Sequence, residues 1–77
     1  MTGVPPALDL RGTPCPLNYI RSKLALEKLE PGSWLQVDLD QGEPEQMVVA
    51  GLRGEGHRVE VEPLPPSAVR LRVRRDG

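Results

Sequence analysis

Apolar and polar residues alternate along four short stretches of the chain, a pattern typical of half-buried β-strands. These stretches are residues 7–10, 33–40, 58–62 and 69–74. In the second, Leu35, Val37 and Leu39 share one face, while polar residues occupy the other. The last two stretches predict an antiparallel hairpin with a five-residue connection, residues 63–67.

A helical spacing of apolar residues follows the first strand and predicts an amphipathic helix over residues 16–30. The positions expected to face the core are Leu17, Ile20 and Leu24, widened later by Ala25, Leu26 and Leu29. Pro31 and Gly32 end this helix because neither residue continues a helix well.

A second helix is predicted to start with Pro44 at its first position and to stop at Gly56. Met47, Val48 and Leu52 are its expected core contacts. Gly51 and Gly54 each cost about 1 kcal/mol relative to alanine in a helix. We therefore expect this helix to be short, frayed, or packed unusually closely on the sheet.

The element order βαβαββ predicts an α+β fold in which a mixed four-stranded sheet carries both helices on one face. This two-layer sandwich is expected to be a single domain over residues 7–75, after a flexible lead-in of residues 1–6. The opposite sheet face stays open. It is expected to carry Asp9, Gln36, Asp38, Arg58, Glu60, Arg70, Arg72 and Arg74, whose mixed charges predict a solvated surface.

Composition narrows the classes of function. The 77 residues hold 10 basic and 11 acidic side chains, and this balance predicts no general attraction to nucleic acid or anionic membrane. No apolar run approaches the roughly 20 residues needed to span a bilayer, and no signal peptide is recognisable, so a cytoplasmic location is expected. The one cysteine is too few for a disulfide or a structural zinc site. Neither a metal nor a bound cofactor is expected.

The candidate chemistry lies in the loop before the first helix, which contains the single cysteine, Cys15. Pro16 suits the first helical position, and this assignment makes Cys15 the N-cap. A thiol there faces unpaired N–H groups and the positive end of the helix dipole, which favour the thiolate. Gly12 allows the turn, and Pro14 stiffens it. The pattern predicts a nucleophilic sulfur held in one place.

Several landmarks resemble the TusA/SirA family of small sulfur-carrier proteins. They are Leu8-Asp9-Leu10-Arg11-Gly12, Cys15-Pro16-Leu17, Leu29-Glu30-Pro31-Gly32 and Gly56-His57. The family motif is Cys-Pro-x-Pro, and here Asn18 stands in place of the second proline. This asparagine could fold its side chain back toward the N-cap backbone, as glutamine does in a capping box.

The resemblance implies the sheet order 1-2-4-3 and a sulfur relay on Cys15. The thiolate would accept a sulfane sulfur from a cysteine desulfurase or a rhodanese-like protein. It would hold that sulfur as a persulfide and pass it to an acceptor in tRNA thiolation, cofactor maturation or sulfur metabolism. Supporting roles fall to Gly12 and Pro16 in shaping the loop, to Arg11 as a nearby positive charge, and to Asn18 in the first turn. Such a protein is a carrier that depends on partners more than an enzyme.

Two other functions fit the same sequence. The open sheet face could dock a protein or RNA, with Cys15 incidental. Alternatively, Cys15 could be a redox sensor that needs an outside thiol, since the chain has no second cysteine. Tyr19 and Trp34 are too few for a base-stacking platform, so direct nucleic-acid binding is not expected. His57, the one histidine, is placed at a strand start and not as a base for the thiol.

Overall fold

The structure is a computed structural model that describes residues 6–76 of the chain. Its elements are β1 Ala7–Asp9, α1 Leu17–Glu27, β2 Trp34–Asp40, α2 Glu43–Gly54, β3 Arg58–Leu64 and β4 Ala68–Arg74. This is the predicted order. The predicted flexible lead-in lies outside the described residues, apart from Pro6.

The four strands form one mixed sheet in the order β1-β2-β4-β3, as predicted. β1 runs parallel to β2, whereas β4 is antiparallel to both β2 and β3. The register places Leu8 beside Val37, and Val37 beside Leu71, so the apolar positions line up across one face. The fully buried residues of this face, chiefly Leu35, Val37, Leu39, Leu71 and Val73, lie on the two central strands.

The β3–β4 hairpin is tighter than the sequence pattern predicted. β3 continues through Pro63 and Leu64, which pair with Val69 and Ala68, so the connection is residues 65–67. The prediction ended the strand at Glu62 and assigned Pro63 and Leu64 to the connection. Here β3 is an edge strand, where a missing N–H is tolerated.

α2 is an uninterrupted twelve-residue helix, longer than its two glycines suggested. It begins at Glu43, so Pro44 occupies its second position and not its first. Gly56 follows the C-cap with φ 93°, the left-handed conformation predicted for the residue that stops this helix. Val48 and Leu52 are buried as expected.

The close packing expected of α2 is against α1 and not against the sheet. A Cβ added at Gly51 would lie 2.6 Å from Cε1 of Tyr19. A side chain at this position would force the Tyr19 ring, which packs on the backbone of α2, to move. Met47 was predicted to enter the core, but its side chain is 50% exposed.

α1 shows the largest departure from the predicted packing. Leu17, Ile20 and Leu24 were expected to face the core, yet they are 45%, 43% and 52% exposed. The buried residues are Asn18, Ser22 and Leu26, which recur every four positions and face the interior. The two polar side chains tolerate burial because both are hydrogen-bonded; Ser22 Oγ, for example, donates to the Asn18 carbonyl at 2.9 Å.

Ion pairs cover the open sheet face, in agreement with the predicted mixture of charges. Asp38 and Arg70 face each other across β2 and β4, joined by two hydrogen bonds of 2.9 and 3.2 Å. The neighbouring carboxylate raises the pKa of Arg70. Further pairs are Arg11 with Asp9, Arg58 with Glu60, Arg72 with Glu62, and Arg74 with Asp76.

Candidate functional site around Cys15

The loop between β1 and α1 is anchored to the end of the sheet. The Leu10 N–H continues the ladder to the Asp38 carbonyl at 2.9 Å, and the Thr13 N–H closes a turn onto the Leu10 carbonyl at 3.0 Å. The Gly12 N–H donates to Oδ2 of Asp40, at the end of β2, at 2.7 Å. Gly12 has φ 78°, which explains the need for glycine at this position. These three hydrogen bonds hold the loop that the sequence predicted to be short and stiff.

Arg11 is bound to Asp9 just before this turn. Its Nε and Nη2 donate to the two oxygens of the carboxylate, each at 2.8 Å. The guanidinium lowers the pKa of Asp9 to about 2, and the carboxylate in turn raises the pKa of Arg11. The positive charge of Arg11, expected to act near Cys15, is thus shared with a carboxylate at the surface.

Cys15 is exposed and lies one residue before the N-cap of α1. The sequence placed Cys15 at the N-cap and Pro16 at the first helical position; both assignments are wrong by one residue. Pro16 is the N-cap, with φ −93° and ψ 11°, and its carbonyl accepts from the Ile20 N–H at 3.0 Å. Its ψ is not yet helical, so the helix begins at Leu17. The thiol remains beside the N-terminal end of α1.

The side chain of Asn18 links this helix to the sulfur. It is fully buried, its Nδ2 donates to Cys15 Sγ at 3.3 Å, and its Oδ1 accepts from the Tyr19 N–H at 2.7 Å. The amide therefore does not reach back to the N-cap backbone as proposed from the sequence. Within residues 6–76, it is the side chain that hydrogen-bonds the sulfur.

Tyr19 and Glu55 form a polar contact between the two helices beside the site. The Tyr19 hydroxyl donates to Glu55, and Lys23 Nζ lies 3.4 Å from the same carboxylate. The hydroxyl and the ammonium lower the pKa of Glu55, while the carboxylate raises the pKa of Tyr19. His57 Nε2 lies 3.9 Å from Glu55, and its Nδ1 accepts from the Asp76 N–H at 3.2 Å.

Two contacts of the site were not predicted from the sequence: Asp40 binds the loop, and Glu55 binds side chains of α1. Asp40 could have been found from the parallel pairing of β1 with β2, which brings the ends of both strands together. Glu55 has no such signal, because its contact depends on how the two helices pack.

Residues 6–76 contain no group of three or more His, Cys, Asp or Glu side chains arranged to hold a metal ion. Nor does any helix in that range combine the length and apolar character needed to cross a membrane.

Two proteins from other organisms are similar to this chain in sequence. A protein of Thermotoga maritima named "Putative sulfur carrier protein" is 31% identical over 68 residues, covering 87% of this chain and 86% of the relative. A protein of Archaeoglobus fulgidus with the same name is 38% identical over 52 residues, which span 68% of this chain and 59% of the relative.

A solved structure and a family model also match this chain. The crystal structure of a SirA-like protein from Desulfitobacterium hafniense superimposes with a TM-score of 0.81 at 25% sequence identity. The match covers 92% of this chain and 97% of that one. Residues 7–75 match the family model described as sulfurtransferase TusA. The chain therefore belongs to the TusA family, as its landmarks around Cys15 indicated.

Proposed function

We propose that this protein is a sulfur carrier that holds a sulfane sulfur as a persulfide on Cys15 and delivers it to an acceptor protein. The observation that carries the proposal is the setting of the thiol. Cys15 is the chain's single cysteine, it is exposed, and its Sγ accepts a hydrogen bond from the buried amide of Asn18. Membership of the TusA family supports the same reading.

Loading is an exchange between a thiolate and a persulfide. The Cys15 thiolate attacks the terminal sulfur of a donor persulfide, a new S–S bond forms, and the donor's S–S bond breaks. The donor leaves as a thiolate, so no outside oxidant is needed. On delivery, the acceptor attacks the terminal sulfur, and Cys15 Sγ leaves with the electron pair.

Asn18 serves both directions of this exchange. Sγ bears negative charge before loading and again as it leaves during delivery. A hydrogen bond donated to an anionic sulfur is stronger than one donated to a neutral thiol. Because its amide is fully buried and also held by the Tyr19 N–H, Asn18 keeps its donor aimed at the sulfur.

The other supporting residues act through the loop. Gly12 makes the turn and binds Asp40, while Pro16 caps the helix directly after the thiol. Since Arg11 is bound to Asp9, we assign it a positioning role at the start of the loop as well as a contribution to the local positive charge. None of these residues needs to exchange a proton with substrate.

The partners follow from the chemistry. A cysteine desulfurase or a rhodanese-like protein supplies the sulfane sulfur, and an acceptor protein of tRNA thiolation, cofactor maturation or sulfur metabolism receives it. We place this exchange in the cytoplasm. Direct RNA binding by the open sheet face is disfavoured, because Arg58, Arg70, Arg72 and Arg74 are each paired with a carboxylate.

The test is intact-mass spectrometry after incubation with a cysteine desulfurase and cysteine. We expect a gain of about 32 Da, one sulfur atom, that a reductant removes and that Cys15→Ser abolishes. Asn18→Asp is the sharper variant, since it replaces the donor by a carboxylate next to Sγ. It should slow both loading and alkylation of Cys15 several-fold at neutral pH, whereas Asn18→Gln, which keeps the amide, should slow them less.

A wild-type protein that is readily alkylated on Cys15 but never gains sulfur from desulfurase or rhodanese donors would contradict the proposal. That result would favour the alternative in which the open sheet face docks a protein or RNA and Cys15 is incidental. It expects Cys15→Ser to preserve function, while charge reversal at Arg70 and Arg72 destroys it.

A further inference from the structure

A groove runs between the free edge of β1 and the side of α1, away from Cys15. Its volume is about 610 Å³. Apolar side chains form its floor and walls, including Leu8, Leu10, Leu24, Leu29 and Leu35. Leu24 is 52% exposed, so the groove leaves apolar surface of α1 uncovered within the described structure.

The two cationic side chains at this groove differ from the other Lys and Arg side chains of the described structure in having no polar partner. Eight of the ten Lys and Arg side chains make a hydrogen bond or ion pair within residues 6–76: Arg11, Lys23, Arg53, Arg58, Arg70, Arg72, Arg74 and Arg75. The two that make none in that range are Arg21 and Lys28, and both line the groove. Arg21 lies on α1 and Lys28 is its C-cap, seven residues later, so the two are separated by about 10.5 Å along the helix axis.

The backbone of β1 supplies a third feature. The Pro6 carbonyl and the Leu10 N–H both bind β2. Because alternate residues of a strand face opposite neighbours, the backbone groups of Ala7 and Asp9 point away from β2. β1 is the edge of the sheet, so within residues 6–76 no strand lies on that side. An added strand could pair there and direct every second side chain into the groove.

We infer that this groove docks an extended segment of a partner protein, in which an apolar side chain is flanked by two acidic ones. The apolar side chain would pack on Leu8 and Leu24, while the carboxylates would pair with Arg21 and Lys28. Acidic residues four positions apart in an extended segment are ~13 Å apart, which flexible side chains can match to the two cations. Asp9 also lines the groove, but Arg11 neutralises it.

This docking surface does not depend on sulfur transfer, because Cys15 is not among the lining residues. The Cys15→Ser protein can therefore be used throughout. The probe is the peptide acetyl-Thr-Glu-Thr-Leu-Thr-Glu-Thr-amide, titrated into isotope-labelled protein and followed by NMR. We expect the largest amide shifts at Ala7 and Asp9. The peptide Thr-Thr-Glu-Leu-Glu-Thr-Thr, of equal composition, directs its carboxylates away from α1 and should bind more weakly.

Charge exchange makes the test specific. The double variant Arg21→Glu with Lys28→Glu should weaken the glutamate peptide by about tenfold or more. It should instead bind Thr-Lys-Thr-Leu-Thr-Lys-Thr, which the parent protein does not favour. Arg58→Glu, on the far edge strand, is the control for one such charge reversal away from the groove and should leave affinity nearly unchanged.

Other results would overturn the inference. Equal binding of the two glutamate peptides, shifts centred on the open sheet face, or no binding at millimolar peptide would each do so. Concentration-dependent shifts at Ala7 and Asp9 without peptide would instead assign the groove to a second copy of the chain. Peptide binding that appears only after deletion of residues 1–5 would assign it to the chain's own N-terminal segment.

Discussion

The two helices cover the same face of the sheet but are packed by opposite rules. α2 buries Val48 and Leu52 and turns Glu43 and Arg53 to the surface, as an amphipathic helix should. α1 buries the polar Asn18 and Ser22 beside Leu26 and leaves three large apolar side chains exposed. The helix that holds the site is thus the one that departs from simple amphipathicity.

This difference separates two tasks. α2 contributes Val48 and Leu52 to the core, whereas the side chain that hydrogen-bonds the sulfur lies on α1. The orientation of α1 about its axis is the one that aims the Asn18 amide at Cys15 Sγ. Turning α1 to bury Leu17 and Ile20 would carry Asn18 away from the sulfur, since successive residues of a helix are about 100° apart. The same orientation of α1 therefore brings Asn18 to the sulfur and leaves apolar side chains of the helix exposed.

Truncating one leucine on each helix should show the largest difference in stability between α1 and α2. Leu52→Ala removes a fully buried side chain from α2 and should lower the free energy of unfolding by about 2–5 kcal/mol. Leu24→Ala removes a half-exposed one from α1 and should change it by less than about 1 kcal/mol. Urea unfolding measures both. Equal losses would show that α1 is packed as firmly as α2.

A smaller effect is expected where the helices touch. Gly51→Ala should destabilise the fold by about 1–3 kcal/mol, because the new methyl group would collide with the Tyr19 ring. Gly54→Ala is the matched control, since its Cβ would meet nothing within 4 Å, and it should stabilise the helix by up to about 1 kcal/mol. Thermal unfolding distinguishes them. If Gly51→Ala remains costly in a Tyr19→Ala background, the ring is not the obstacle.

The smallest effect concerns the carboxylate that joins the helices. The folded protein lowers the pKa of Glu55 below its ordinary 4.5 through Tyr19 and Lys23. Its contribution is therefore complete above the unfolded-state pKa and is lost as the pH falls through the lower folded-state pKa. Glu55→Gln should make the urea midpoint less sensitive to acidification below about pH 5. Identical pH profiles for the two proteins would show that Glu55 does not stabilise the helix contact.

The strands could be predicted because their signal is local, whereas the order of the strands in the sheet rested on the family resemblance. Leu35, Val37 and Leu39 alternate with polar residues, and a half-buried strand needs no other information. The end of β3 was missed because the strand's own residues give no sign that Pro63 is tolerated. The sheet order implied by the family resemblance already placed this strand at the edge, where a missing N–H is acceptable.

The position of Cys15 before a helix could also be predicted, but the orientation of α1 could not. Hydrophobic periodicity assumes that polar side chains seek water. Ser22 and Asn18 instead find partners inside the protein, one in a backbone carbonyl and the other in Sγ and an N–H. Such pairings appear only once neighbouring elements are in place. The periodicity of α1 therefore placed Leu26 in the core correctly but misplaced the three exposed apolar side chains of the helix.

The anchored loop has a consequence for the entropy of association. Gly12, Thr13 and Asn18 fix the backbone before and after the thiol through hydrogen bonds to Asp40, Leu10 and Pro14. The chain thus loses the freedom of this loop when it folds and not when it meets a partner. An encounter with a donor or an acceptor then requires no further ordering of the segment that carries the sulfur, which favours rapid exchange between successive partners.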